Sequence, residues 1–518
     1  MNNNHIFLLI FLLFLSYLLN FCNATLKNKS KHDIKKNKYN NKFRRRNSNE
    51  KFSKRNLEDY PFRPLSIYID TAEFNYTFPP VLENYRDNFI LAMDKAKKIL
   101  EGFLEINTQT DGYLDLLDDQ TNSVEADFEI FHYTSIFEQN LRVDEYNYYI
   151  FAKFIDLNEK SASIILAQYD FAPLIGLVLF SNKTEYLEDL DESEFSIEYL
   201  TTLFLHHFIR LLGFNAALGD INEIKYIPKE GEIYYLKTDD EYNFTNVINY
   251  ARKYFNCDRI NRIDLYLDDE NLDGTDYYYY AGYEIIGLYW PKRLFLGELL
   301  TKFDYPEEQV LSGFTLAFLD DLPYLKVTKN YSGGSLKFGK NKGCEFFFNQ
   351  CGDSNNPSTT FANEFFLPYN QIIEQNPSCS SGRLSKTIYK LQTIETDIEN
   401  DPKAEYFLSG KAGPKSTNYC PFAQFEESTT STYIYNGRCS GKNVEDANNE
   451  RKEILGNNSF CVLSSLEDST QSTDDDPEVL SLCYEMKCSQ ESLTIKIGEY
   501  YIVCPREGGK IQAENFKG

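Results

Sequence analysis

Apolar and polar residues alternate along PLSIYIDTAEF (64–74), the period of a strand with one buried face. Directly after it, PPVLENYRDNFILAMDKAKKILEGFLEI carries apolar residues at helical spacing, with Pro79 and Pro80 placed to start the helix. YNYYIFAKFID, SIILAQY and PLIGLVLFSN follow as β-rich runs separated by turns, which predicts a mixed sheet. The acidic LEDLDESEF then leads into TTLFLHHFIRLLGFN (201–215). Here Leu205, Phe208, Ile209 and Leu212 recur at i, i+3, i+4 and i+7, one apolar helical face. His206 and Arg210 share the neighbouring face with His207 beside them, a polar edge, and Gly213 is placed to end the helix in a left-handed cap.

The pattern changes twice further on. Residues 216–335 are acidic and rich in tyrosine, with VINYARKYFNC expected as a helix and DGTDYYYYAGYEIIGLYWPKR as its most unusual stretch. From 336 to 518 short segments carry most of the cysteines together with Gly, Ser and Thr, as in a loop-rich, mostly β, disulfide-stapled domain. EDSTQSTDDDPE (467–478) reads as an exposed linker, and no repeat occurs at solenoid or propeller periods. The expected class is α+β: an N-terminal domain over 61–215 that ends in the histidine helix, a central domain over 216–335 and a Cys-rich domain over 336–518.

Composition adds the compartment. Hydrophobic residues make up 42% of the 518 and charged residues 25%, a globular balance. Residues 1–24, apolar from Ile6 to about Leu19 and ending at Ala24, are expected to be a secretory signal; the alternative is an uncleaved N-terminal anchor, the one membrane contact this chain would make. Residues 25–60 form an Asn-rich basic leader, expected to be disordered and to serve as a tail or a cleavable pro-segment. Thirteen Lys/Arg fall between 25 and 55, leaving 40 basic against 76 acidic residues beyond it. A body that acidic repels phosphates and excludes nucleic acid as a partner.

Ten cysteines follow the signal: Cys257, Cys344, Cys351, Cys379, Cys420, Cys439, Cys461, Cys483, Cys488 and Cys504. An even number on an exported chain predicts up to five disulfides, and no CxxC spacing points to a zinc ribbon. N-x-S/T sequons at Asn75, Asn182, Asn243, Asn330 and Asn457, with one more at Asn28 in the leader, are candidate glycosylation sites and agree with a secreted or cell-surface location.

The histidine helix is compared with H-E-x-x-H, in which two histidines four apart bind zinc and the glutamate between them is the base. TTLFLHHFIRLLGFN resembles the active-site helix of the leishmanolysin family, secreted or surface zinc metalloproteases of the metzincin type. The resemblance continues in order through VINYARKYFNC (247–257), GLYWPKRL (287–294), LDDLPYLKV (319–327), GKNKGCEFFFNQC (339–351) and CPREGGKI (504–511), and it takes in PLIGLVLFSN (173–182) upstream. It implies a metzincin-like N-terminal domain and a site in which His206 holds the first zinc-ligand position, with Gly213 and Phe214 in the turn that follows. It also implies that the second ligand position is Arg210, the third Tyr289 next to Trp290, the catalytic glutamate position His207, and the methionine position beneath the metal Leu300. The family's latency cysteine has no counterpart, because none lies between Cys22 and Cys257.

Those replacements oppose the family's chemistry. The five histidines are His5, His32, His132, His206 and His207, so no downstream third histidine exists. An arginine offers only donors and cannot ligate a metal. His206 and His207 point about 100° apart on a helix and do not readily converge on one ion. His132, in FHYTS, is expected to be structural. The expectation is an exported pseudoprotease with no cofactor, its ligands proteins or peptides and its role in binding or adhesion. The alternative is an active zinc metalloendopeptidase with a rearranged site, drawing carboxylates from DLYLDDENLDGTD (264–276).

Overall fold

Strands buried on both faces read as continuous apolar runs rather than alternating ones, and YYIFAKFI is such a run. The computed structural model describes residues 61–107, 146–157, 161–169, 172–183, 196–215, 229–230, 233–238 and 243–267. Further on it describes 279–280, 283–284, 288–302, 309–329, 336–349, 377–389, 392–393, 411–413, 417–420, 423–425, 438–440, 452–465, 480–489 and 492–504. The expected signal and leader, His132, Asn330, Cys351 and the 467–478 linker lie outside these residues.

The fold is α+β. Among the described residues its main sheet has four strands, β1 (Ile67–Asp70), β2 (Tyr148–Ile155), β3 (Ser161–Tyr169) and β4 (Ala172–Ser181), in the order β1-β2-β4-β3. β1, β2 and β4 run parallel, and β3 is an antiparallel edge strand. The strand expected over 64–74 is shorter than its alternation indicates. The Asp70 carboxylate accepts from the Ala72 backbone N–H at 2.8 Å, turning the chain into helix α1 (Ala72–Thr77). Pro80–Tyr85 is a 3-10 turn, and α2 (Arg86–Glu101) follows it.

One face of the sheet packs on α2 and on α3 (Ile197–Leu211), the histidine helix. Phe74, Phe89, Phe154, Phe180 and Phe204 fill that layer with ring centroids 5.3–6.4 Å apart, mostly edge to face. This accounts for part of the phenylalanine content. The other face, with Tyr149, Phe151, Leu177 and Leu179, is buried as well.

The same core continues through α4 (Thr245–Phe255) and α5 (Gly313–Asp321), with Trp290 fully buried between Phe214, Phe295 and Phe318. Trp290 directly follows the short strand β6 (Leu288–Tyr289), which pairs with β5 (Tyr266–Leu267). The first turn of α4 donates its Asn246 and Val247 N–H groups to the Asp321 carboxylate, each at 2.9 Å. α6 (Gly343–Phe348) is joined to the end of α4 by the Cys257–Cys344 disulfide.

The Cys-rich part is mostly short strands. β7 (Pro377–Cys379), β8 (Lys386–Tyr389) and β9 (Ala423–Phe425) form one sheet. β10 (Ser459–Ser464), β11 (Leu480–Cys488), β12 (Leu493–Ile497) and β13 (Tyr500–Cys504) form an antiparallel meander. Cys379–Cys461 links the two directly, Cys439–Cys483 links the meander to the 438–440 turn bridged to Ser385 beside β8, and Cys420 is disulfide-bonded too.

Of the candidate cysteines, Cys488 and Cys504 are free thiols, the first exposed and the second half-buried. They face the same residue, Leu493, from the strands on either side of it. Two strand spacings are about 9.6 Å, beyond the roughly 7 Å Cα limit for a disulfide. Among the described residues no helix is long and apolar enough to cross a membrane.

Gly176 in β4 is where sheet and histidine helix touch most closely. A Cβ there would lie 2.6 Å from Leu211 Cδ1, and Leu211 has no exposed surface through which to retreat. Gly176→Ala is therefore expected to cost about 1–3 kcal/mol by overpacking. Urea unfolding of the variant checks this, and an unchanged midpoint would contradict the contact.

Candidate functional site

α3 begins at Ser196, whose hydroxyl accepts from the Tyr199 N–H at 3.3 Å. The expected polar edge of this helix is not solvated. His206 and His207 are 2% exposed and Arg210 3%, so the helix is buried on all sides from Phe204 to Leu211. Its C-terminal carbonyls are satisfied from within the protein: Tyr148 donates to Leu211 O at 2.9 Å and Tyr324 to Leu212 O at 3.0 Å. Burial raises the Tyr148 hydroxyl well above its ordinary range, which keeps it a donor. Gly213 follows with φ 145°, a positive angle that favours glycine but differs from the left-handed cap expected there.

The two histidines face different partners. The Nδ1–H of His206 donates to the Leu299 carbonyl at 2.7 Å, so Nε2 is the ring's acceptor nitrogen. Burial holds this imidazole down to about 3, with the Arg210 charge adding to it and the Leu299 bond opposing. His207 Nε2 meets the Ser161 hydroxyl, at the start of edge strand β3, at 2.9 Å. Burial, then His206 and then Arg210 keep it well below the usual histidine range. Its Nδ1 is buried without a hydrogen-bond partner. An orphaned buried N–H costs more than an orphaned acceptor, so the proton sits on Nε2 and points at Ser161. His207 thus donates to that hydroxyl and takes no proton from it, which removes a Ser161–His207 nucleophile pair.

Arg210 and Tyr289 complete the cluster. Tyr289 lies in a two-residue strand (Leu288–Tyr289) paired with Tyr266–Leu267. The Arg210 guanidinium carbon is 5.0 Å from the Tyr289 ring centroid, a cation–π contact. His206 stacks on the same ring at 5.9 Å and 29°, and the His206 and His207 rings meet edge-on at 5.3 Å. The structure therefore brings His206, His207, Arg210 and Tyr289 together; Gly213 turns the chain after α3, and Phe214 and Leu300 are buried in the same core.

Sequence reading missed the turn below them. Glu298, fully buried, accepts from Leu300 N–H (2.5 Å), Ser312 Oγ (2.8 Å) and Thr315 Oγ1 (2.5 Å), while Trp290 Nε1 donates to Thr315 Oγ1 at 3.0 Å. Trp290 N–H donates to Leu300 O at 2.9 Å. Glu298 thus fixes the turn that presents Leu299 O to His206 and the Trp290 strand that carries Tyr289. A lone carboxylate within the apolar run RLFLGELL was the available signal. Burial pushes Glu298 up to about 7 although its donors pull the other way.

As a place for the zinc ion that the resemblance implies, the cluster does not fit. It offers two imidazole acceptor nitrogens, His206 Nε2 and His207 Nδ1, on successive residues whose rings meet edge-on, a phenol engaged through its ring, and a guanidinium that can only donate. Among the described residues no group of three or more His, Cys, Asp or Glu side chains is placed to hold a metal ion.

The family model of leishmanolysin (peptidase M8) matches residues 194–517. The match opens just before α3 and takes in the cluster, both core helices that follow and the Cys-rich sheets. No curated protein matches the chain.

The pH behaviour follows from the buried groups. Glu298 has a folded-state value above its unfolded 4.5, so it adds stability in acid that is lost as pH rises through about 7. The two histidines have lowered values and act oppositely, losing stability as pH falls below about 6.5. Glu298→Gln removes the first contribution only. The wild type's advantage over this variant in urea unfolding is expected to be larger at mildly acidic pH than above neutrality, by up to about 1.4 kcal/mol per pH unit. An advantage that shrinks on acidification would contradict the assignment.

Proposed function

The chain belongs to the leishmanolysin family, and from that premise we propose that it is an exported, catalytically inactive member that works by binding proteins or peptides, in adhesion or a related surface role. The observation that carries this is Arg210, buried at the second ligand position and stacked on Tyr289 at the third. At 4 Å and an effective dielectric near 20, a unit charge would repel a divalent ion by about 8 kcal/mol. His207 occupies the position of the catalytic glutamate and, held neutral with its Nε2–H directed at Ser161, has no activated water to serve.

Retention of the surroundings supports a binding role. Edge strand β3 lies alongside α3 and is tied to it by the His207–Ser161 bond. Among the described residues β3 pairs only with β4, and a strand edge that is open can add an extended peptide by backbone hydrogen bonding. Export is supported by the disulfides and by sequons on exposed Asn75, Asn182, Asn243 and Asn457. One observation favours the alternative, an active zinc metalloendopeptidase: His206 is oriented as metal-binding histidines are, with Nδ1–H on a carbonyl.

Metal analysis of the secreted protein, alongside cleavage of a generic peptide mixture, separates the two. The expected result is substoichiometric zinc and no chelator-sensitive hydrolysis. One zinc per chain together with hydrolysis abolished by His206→Ala would overturn the proposal.

A further inference from the structure

The two disulfides that join the Cys-rich sheets lie side by side. Cys461 on β10 and Cys483 on β11 are directly opposite in the antiparallel register. Their backbones show that they form a non-hydrogen-bonded pair. Cys461 N–H donates outward to Arg383 O at 2.6 Å. Cys483 N–H donates to the Glu453 carboxylate at 2.8 Å, and its carbonyl accepts from Ile454 N–H at 2.9 Å. In such pairs the Cα atoms are about 4.5 Å apart and the side chains are close, within the range of roughly 4.4–6.8 Å that a disulfide spans. Yet each cysteine is bonded elsewhere, Cys461 to Cys379 and Cys483 to Cys439. Cys439, Cys461 and Cys483 pack as one fully buried cluster with Cys379 against it.

Access to the four sulfurs is unequal. Cys439, Cys461 and Cys483 have no exposed surface, whereas Cys379 is partly exposed. An external thiolate must therefore attack Cys379, and the group it expels is Cys461, already beside Cys483.

We propose that these four cysteines form a thiol–disulfide relay in which one two-electron reduction at Cys379 releases both links between the sheets. A dithiol reductant attacks the Cys379 sulfur, the Cys379–Cys461 bond breaks, and its electron pair leaves on Cys461. The reductant's second sulfur displaces Cys379 as a thiol and closes the reductant's own disulfide. The Cys461 thiolate then attacks Cys483, forming Cys461–Cys483 and expelling Cys439. The dithiol supplies two electrons and two protons, which end on Cys379 and Cys439, and the protein loses one disulfide in total. The new bond ties β10 to β11, already paired, so it holds nothing else. β7 and the Cys439 turn then keep no disulfide to the meander and rest on it through packing and hydrogen bonds such as Cys461 N–H to Arg383 O at 2.6 Å. The matching physiological reagent is a dithiol oxidoreductase or a small dithiol.

The test uses the full-length secreted protein with Cys488 and Cys504 first blocked by iodoacetamide. One equivalent of dithiothreitol is added, the reaction is quenched in acid, new thiols are labelled with N-ethylmaleimide, and peptides are mapped without reduction. The expected result is a Cys461–Cys483 linked peptide, with label on Cys379 and Cys439. Label on Cys379 and Cys461 with Cys439–Cys483 intact would overturn the relay. So would label on Cys439 and Cys483 with Cys379–Cys461 intact, or reduction confined to the other disulfides. A Cys379→Ala variant gives a second reading: Cys461–Cys483 should be present with Cys439 free, and chains carrying only Cys439–Cys483 contradict the proposal.

Discussion

A helix buried on every side must find all its polar partners inside the protein, and α3 imposes that requirement on everything around it. Its carbonyls at Leu211 and Leu212 need the Tyr148 and Tyr324 hydroxyls. His206 needs the Leu299 carbonyl, which needs a turn held by Glu298. His207 reaches the edge strand, and Arg210 rests on the Tyr289 ring. Each of these partners comes from a different element, so the sheet, the Trp290 strand and α5 are arranged around one helix. Unsatisfied groups at this depth would each cost about 1–3 kcal/mol, more than the protein could bear at several places at once.

The cluster keeps one positive charge and two imidazoles by holding both rings neutral. Burial is the largest cause for each, and the guanidinium adds to it. The same charge explains why Tyr289 is useful as an aromatic face, since the ring quadrupole attracts the cation without requiring a buried anion. The side chains of the site hold one another, with His207 Nδ1 left as a buried acceptor without a hydrogen-bond partner.

Much of this was legible from the residues. The continuous apolar run at Tyr148–Ile155, the two helical periods and the Cys-rich end each appear as the pattern indicates, because burial on one or both faces dictates those periods. Four positions of the cluster were named from the histidine helix and its downstream partner. What could not be read were long-range satisfactions. Nothing local marks Ser161 as the partner of a residue 46 positions away, or Glu298 as the organiser of a turn that hydroxyls at 312 and 315 stabilise. The polar edge of α3 misled for the same reason: amphipathic spacing cannot tell a solvated polar face from one sealed by other elements. Parity sets only an upper limit of five disulfides and says nothing about the register that keeps Cys488 and Cys504 apart.

The two tyrosine seals on α3 also differ in when they arrive. Tyr148 precedes the helix in the chain and is in hand before α3 is made, whereas Tyr324 lies 112 residues beyond the carbonyl it seals. During synthesis from the N-terminus, the end of this helix must stay open until α5 and the segment after it have emerged. The first turn of α4 waits in the same way, because the carboxylate that receives its N–H groups is Asp321, some 74 residues further on. Vectorial synthesis thus delivers an incomplete histidine helix first, and Asp321 at the end of α5 with Tyr324 just beyond it closes two helix ends in a single late step.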